Sequence, residues 1–321
     1  MARIVSKTVS VSALTIVVAL GTAALAQQAP QGQPMPQRSQ GAQAQGTGAP
    51  GEGGQRPAGA AGANGGFGGF TRPVAEDWND HQGWQQIFDG KTLNGWEGIA
   101  GHWSVEDGAI VGRSSDANPA GTTNLIWRGG EPANFRMRFE FKLEGAGANG
   151  GFQFRGKNAP LPMRPPDAAR LAAMTPEQKT RMEQAQALNA KNAKWSMWGY
   201  QADFDAANRF TGQLYDAGTG RAIMAWRGDA VAAEPGRRVK LGSLGTQEEL
   251  AKFIQPLGEW NQMEVVADGH MLMVILNGHV TSFVVDTDPK DFAAKGVIAF
   301  ELEGPGDVKI SHRNIWMKQL P

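Results

Sequence analysis

The stretch Phe135–Leu143, Phe-Arg-Met-Arg-Phe-Glu-Phe-Lys-Leu, alternates apolar and charged residues without a break. Successive side chains of an extended strand point to opposite faces. The pattern therefore predicts a strand with Phe135, Met137, Phe139, Phe141 and Leu143 buried, and Arg136, Arg138, Glu140 and Lys142 in water. One dry face and one wet face belong to antiparallel rather than all-parallel sheets. Turn-forming pairs punctuate the chain at close spacing, among them Asp89-Gly90, Asn94-Gly95, Asp107-Gly108, Gly129-Gly130, Asp268-Gly269 and Asn277-Gly278. Asn277-Gly278, set between Met271–Leu276 and His279–Val285, predicts a hairpin because both residues tolerate the positive φ of a type I′ turn. Many short strands and few helices predict an all-β sandwich of two antiparallel sheets.

One segment departs from the strand pattern. Pro160–Ala193 is rich in Ala, Met and Gln, and Thr175-Pro176-Glu177-Gln178 supplies an N-cap, a first-turn proline and a Gln placed to complete a capping box. A helix to about Ala193 is expected, with Asp167 capping a shorter one before it. This helical insertion, near 165–193, follows a strand ending at Arg155 and rejoins at Trp195–Trp198. It is therefore either surface decoration or a partial lid.

The ends of the pattern set the domain limits. Met1–Lys7 is basic, Thr8–Leu25 is uncharged and apolar or small, and Ala24-Leu25-Ala26 is a small-residue cleavage site. Residues 1–26 thus read as a secretory signal peptide, which implies a periplasmic or extracellular protein with no stable membrane insertion after cleavage. Residues 27–75 are dominated by Gly, Gln, Ala and Pro and read as a disordered linker. Residues 76–321 are one domain's worth of all-β chain. The chain has no Cys, which excludes disulfides, thiolate nucleophiles and Cys-based metal sites. A formal net charge of +0 without a basic run argues against nucleic acid as a partner.

The polar positions of the central strands carry the candidate chemistry. Alternation sets Gln153 and Arg155 opposite Phe152 and Phe154, Gln201, Asp203 and Asp205 opposite Tyr200, Ala202 and Phe204, and Glu301 and Glu303 opposite Phe300 and Leu302. Gln213 and Tyr215 share a face of their own short strand. If these strands are neighbours, amides, carboxylates and an Arg converge on one concave sheet face. Such a face suits sugars, because amides and carboxylates pair with vicinal hydroxyls while an aromatic stacks on the ring. Trp127, Trp195, Trp198 and Trp226 are near in sequence, Trp127 being taken with Gln153, Gln201, Gln213, Tyr215 and Glu301 as substrate-binding. His81, His102, His270, His279 and His312 are scattered without metal-ligand spacing, and most of them are expected at surfaces or turns.

Eight motifs then fall in a familiar order: Ile87-Phe-Asp-Gly-Lys-Thr-Leu-Asn-Gly-Trp96, Trp103–Gly112, Asn149-Gly-Gly-Phe-Gln-Phe-Arg155, Gly199-Tyr-Gln-Ala-Asp203, Thr211-Gly-Gln-Leu-Tyr215, Gly258-Glu-Trp-Asn261, Leu276-Asn-Gly278 and Arg313-Asn-Ile315. From about Trp84 to Leu320 the chain resembles the 3-keto-α-glucoside 1,2-lyase / 3-keto-2-hydroxy-glucal hydratase (3-keto-disaccharide hydrolase) family. The resemblance implies a concanavalin A-like jelly-roll sandwich with its site on the concave sheet. It implies a sugar or glycoside already oxidised to a 3-ketone by a separate sugar 3-dehydrogenase, then β-elimination, hydration, or both. The chemistry calls for a base at carbon 2 and a cation, donor or divalent metal ion on the enolate oxygen. Two positions where the family pattern carries His hold Val274 and Glu303 here. If either His serves the family as base or metal ligand, this chain has lost that group or moved its role to a carboxylate, for which Asp203 and Glu303 are the candidates, with Arg155 as the catalytic cation. The alternatives are a non-catalytic carbohydrate-binding module and, third, a two-carboxylate glycoside hydrolase using acids such as Glu301 and Glu303.

Overall fold

The computed structural model describes residues 73–161 and 167–321. The expected signal peptide and nearly all of the expected linker lie outside the described residues. Among the described residues, 73–80 hold a turn at Asp77–Asp80, and His81–Pro321 form a unit of their own.

That unit is built from seventeen strands: β1 (Gln85–Gln86), β2 (Trp96–Glu97), β3 (Trp103–Glu106), β4 (Ala109–Ser114), β5 (Thr123–Trp127), β6 (Phe135–Glu144), β7 (Asn149–Asn158), β8 (Met197–Asp205), β9 (Leu214–Ala217), β10 (Ala222–Ala225), β11 (Asp229–Glu234), β12 (Arg237–Ser243), β13 (Asn261–Asp268), β14 (Met271–Leu276), β15 (His279–Asp286), β16 (Val297–Leu302) and β17 (Val308–Gln319). They form two sheets. The ten-stranded sheet runs β12-β11-β15-β14-β13-β6-β17-β4-β3, with β1 on β17. The seven-stranded sheet runs β10-β9-β8-β7-β16-β5-β2. Every pairing is antiparallel except β11 with β15, which run parallel over Ala230–Ala233. The result is the expected jelly-roll type of β-sandwich.

β6 does what its alternation dictates. Phe135, Met137 and Phe139 have no exposure and Phe141 has 1%. Their rings meet those of the facing sheet: Phe135 lies edge-on to Phe154, Phe139 to Phe300, and Phe141 stacks on Phe204 at 4.4 Å. Burial of such rings, with their edge and offset contacts, is the main attraction between the sheets. The other face of β6 is drier than the alternation implies. Arg136 and Arg138 both donate to Glu264, Arg313 donates to Glu140, and the rings of Trp84 and Trp260 lie over Arg138 and Arg313. Long side chains in the middle of a wide sheet cover one another.

The Asn277-Gly278 hairpin joins β14 to β15 with Leu276 opposite His279, both turn residues having positive φ. The insertion holds α1 (Ala168–Ala173), with Asp167 Oδ1 accepting from Arg170 N, and α2 (Pro176–Lys191), whose Thr175/Gln178 capping box is complete. A 3₁₀ turn, Ala193–Trp195, leads into β8. A third helix, α3 (Gln247–Ala251), links β12 to β13. No helix among the described residues is long and apolar enough to cross a membrane.

His312 is an exception to the surface positions expected of most histidines. It has no exposure, stacks on Phe300 at 3.9 Å and sits near Phe139 and Phe204. Neither ring nitrogen has a hydrogen-bond partner. Burial alone pushes its pKa down to about 3. His312 shares strand parity with Val308 and Ile310, so period two places it inward with them.

Candidate active site

β8 sends Tyr200, Ala202 and Phe204 into the core, so Gln201, Asp203 and Asp205 stand on the outer face of the seven-stranded sheet. Register then brings the other strands' polar residues alongside. Gln201 lies opposite Gln153 of β7 and Tyr215 of β9. Asp203 lies opposite Gly151, and its amide donates to Gln213 O. Glu301 of β16 lies opposite Asn124 of β5, and Ala299 opposite Gln153. Asn149 and Glu303 exchange a pair of backbone hydrogen bonds of 3.0 and 2.8 Å where β7 meets the end of β16. Neighbouring strands are about 4.8 Å apart, so these side chains form one contiguous patch.

The amides are oriented by the carboxylates. Gln201 Nε2 donates to Glu301 Oε2 at 2.6 Å, Gln213 Nε2 to Asp203 Oδ2 at 2.5 Å, and Asn149 Nδ2 to Glu303 Oε2 at 3.1 Å. Asp203 and Glu301 are buried, while Glu303 is half-buried at the open end. Burial pushes the pKa of Asp203 well up, and the charges of Asp205 and Glu303 add to it against the hydrogen bonds from Gln213 and Gln201. Burial does the same to Glu301, with Glu303 and Asp203 adding. Glu303 is raised by burial against a hydrogen bond from Thr122. Carboxylates this close in a poorly solvated patch cannot all ionise together near neutrality. Three amide oxygens of the face, Asn124 Oδ1, Gln153 Oε1 and Gln213 Oε1, are buried without a hydrogen-bond partner. They are buried acceptors, so the face carries unmet hydrogen-bonding capacity beneath its surface.

Gly151 makes room for this arrangement. A Cβ there would meet Gln201 Cγ and Nε2 at 2.6 Å each. Gly151→Ala is expected to push Gln201 off Glu301 and lower kcat/KM on the order of 10²-fold, as ångström-scale misplacement does. Steady-state kinetics with an unchanged melting temperature checks it; unchanged kinetics would remove Gln201 from the machinery.

Two expected site residues are not brought to this face. Arg155 sits in a β-bulge between Phe154 and Lys157 with φ 47°, and the extra residues turn it inward. Its guanidinium donates to Ala133 O and Gly269 O at 2.7 Å each, to Asn134 Oδ1 at 3.2 Å and to Ala293 O at 3.4 Å. It pins loops instead of meeting Asp203 or Glu301. Trp127 has the parity of Leu125 and belongs to the core, with its backbone paired to Trp96. Tyr215, opposite Gln201, is on the outer face as expected, and Trp195, not singled out for it, joins the face packed against Ile126, Met197 and Ala299. Asn124 and Asn149 belong to the face but are not legible in the sequence. Thr123–Trp127 is buried on both sides, so β5 shows no alternation to assign a face.

Val274, where the resemblance leads one to expect His, is a core residue of β14 in the other sheet. Glu303, the second such position, lies on the polar face. Among the described residues, no group of three or more His, Cys, Asp or Glu side chains is arranged to hold a metal ion.

The sandwich and its amide–carboxylate face define a carbohydrate-active β-sandwich domain. The chain belongs to the 3-keto-alpha-glucoside-1,2-lyase-like domain family, whose model matches residues 83–318. No curated protein matches the chain. Among solved structures it is similar to a "putative glycosyl hydrolase" from Parabacteroides distasonis, at 17% identity over 75% of this chain and 95% of that one, TM-score 0.43. It is also similar to the carbohydrate-binding module CBM66 of Bacillus subtilis, at 14% identity over 70% and 96%, TM-score 0.41.

Proposed function

We propose that the domain cleaves 3-keto-glycosides by β-elimination, followed by hydration of the resulting glucal to give net hydrolysis. The observation that carries this is the set of three adjacent carboxylates, all with raised pKa, on a buried polar face of a chain that belongs to this family. Glu303 is the base. It is the most accessible of the three, and the solvent that reaches it favours its charged form. It takes the proton from carbon 2, which the neighbouring ketone acidifies, and the electron pair forms an enolate. Asp203 and Glu301, held protonated, stand in for the cation expected of Arg155. A neutral carboxylic acid in a dry site donates a hydrogen bond to a developing oxyanion. Collapse of the enolate expels the glycosidic oxygen from carbon 1, and the other acid protonates it as it leaves. Water then adds across the double bond.

The oxidised substrate must come from a sugar 3-dehydrogenase acting earlier, and the apolar, cleavable N-terminal stretch supports action outside the cytoplasm. Incubation with a 3-keto-glucoside and with its unoxidised parent, followed by mass spectrometry, tests the reading. Turnover of the ketone only, with an unsaturated sugar as product or intermediate, is the expected result. Cleavage of the parent would make the protein a conventional glycoside hydrolase. Binding without conversion would make it a carbohydrate-binding module.

A further inference from the structure

The helical insertion ends against the segment that leads into β5. Asn192 Nδ2 donates to Ala120 O at 2.6 Å, and Asn189 Oδ1 of α2 accepts from Thr122 N at 3.0 Å. Between them Gly121, at φ 66°, lies so close to α2 that a Cβ would meet Asn189 Oδ1 at 2.8 Å and Leu188 Cδ2 and Cγ at 3.0 Å each. These contacts replace a missing strand. β2 pairs with β5 only at Trp127 and Ile126, so among the described residues the start of β5 has no strand beyond it. Backbone groups left there need other partners, and the end of α2 supplies them. A segment held this way does not open as a lid.

Thr122 in turn reaches the carboxylates. β5 and β16 pair Asn124 with Glu301 and Thr123 with Leu302. One step further along this register sets Thr122 opposite Glu303. Thr123 shares the core side with Leu302, so Thr122 shares the polar side with Asn124. Its hydroxyl donates to Glu303 from one flank, and Asn149 Nδ2 donates at 3.1 Å from the other. The charges brought to Glu303 are those of Glu301 from its own strand and Asp203 from β8. Asp205, further along β8, accepts from Phe210 N and Thr211 N and faces Arg209 at 3.5 Å. β5, β7 and α2 contribute Thr122, Asn149 and Asn189, none of them charged. A carboxylate with acids for neighbours depends on such neutral donors to be ionised and aimed.

We propose that Thr122 is a positioning residue for the base Glu303 and that the helical insertion is its brace: Asn189 holds the Thr122 backbone, and the Thr122 hydroxyl holds the carboxylate. This rests on Glu303 being the base of the proposed elimination.

The test uses the full chain with Thr122→Val, which keeps the shape and loses the hydroxyl, Thr122→Ser, which keeps the hydroxyl, and Asn189→Ala. One readout is the pH profile of kcat/KM on a 3-keto-glucoside. The other needs no turnover: an NMR titration of the Glu303 carboxyl, assigned by its loss in Glu303→Gln. Thr122→Val is expected to move the acid limb of the profile and the titration upward together by roughly 0.5–1 pH unit, the worth of one neutral hydrogen bond. Thr122→Ser is expected to titrate as wild type, and Asn189→Ala to move both readouts the same way by less. Lower kcat/KM in Thr122→Val with an unmoved titration would make Thr122 merely structural and overturn the proposal. Wild-type behaviour of Asn189→Ala in both readouts would make the insertion surface decoration and overturn the brace. Wild type that turns over no ketone, with the titrations shifting as expected, would sink the elimination reading and leave the brace on Glu303 standing.

Discussion

Glu303→Gln is expected to reduce kcat on a 3-keto-glucoside by about 10²–10⁴-fold, the usual worth of a positioned general base, with substrate binding kept within a few-fold. The amide preserves the size of the side chain and its contact with Asn149, but it cannot take a proton. Asp203→Asn is expected to cost less, because the amide still offers a donor where the protonated acid did. The two also differ in pH dependence. Glu303 must be ionised, and its pKa is raised by burial, so activity climbs as pH rises through that raised value. Asp203 and Glu301 are buried more completely, their pKa values are pushed well up, and in the proposed reaction they act protonated, so activity falls again at more alkaline pH. The profile of kcat/KM is therefore a bell displaced upward from ordinary carboxylate values. Loss of solvent-deuterium exchange at carbon 2 in Glu303→Gln isolates the proton-transfer step. Normal exchange in that variant would move the base role to Asp203 or Glu301.

The second large effect is on stability in acid. In the folded chain the pKa of His312 is pushed down to about 3, whereas in the unfolded chain it is near 6.5. Between these values the unfolded chain binds a proton that the folded chain does not. Stability contributed by His312 is therefore full above about pH 6.5 and is lost as pH falls toward 3. From pH 7 to pH 4 the loss is roughly 3 kcal/mol. The carboxylates with raised pKa work in the opposite direction. Asp203, Glu301, Glu303 and Asp216, the last pushed up to about 6, take protons more readily when folded, so they stabilise as pH falls. Their contribution is common to wild type and to His312→Leu, a substitution of similar volume. Urea unfolding of both proteins at pH 7 and pH 4 is expected to show the variant losing about 3 kcal/mol less than wild type. It is also expected to be more stable at pH 7, since two unpaired buried nitrogens are removed. Equal losses in the two proteins would mean that His312 is protonated or solvated in the fold.

Wherever a strand is regular, the sequence determined which side of the sheet each residue takes. Period two placed Phe135, Met137, Phe139 and Phe141 in the core and Gln201, Asp203, Glu301 and Glu303 outside it, because alternation is a property of the extended backbone and holds wherever no bulge interrupts it. The Thr175 capping box and the Asn277-Gly278 turn were equally local, set by a few adjacent residues. Tertiary structure decided what alternation cannot carry. The bulge after Phe154 reversed Arg155, and it exists because β7 pairs with β8 out of simple register. β5 is buried on both faces, so only its pairing with β16 and β2 shows Trp127 turned to the core and Asn124 turned to Glu301. The raised carboxylate pKa values depend on side chains of three strands meeting without water. That is a matter of strand order, which no single strand encodes, and it alone turns scattered acids into a candidate site.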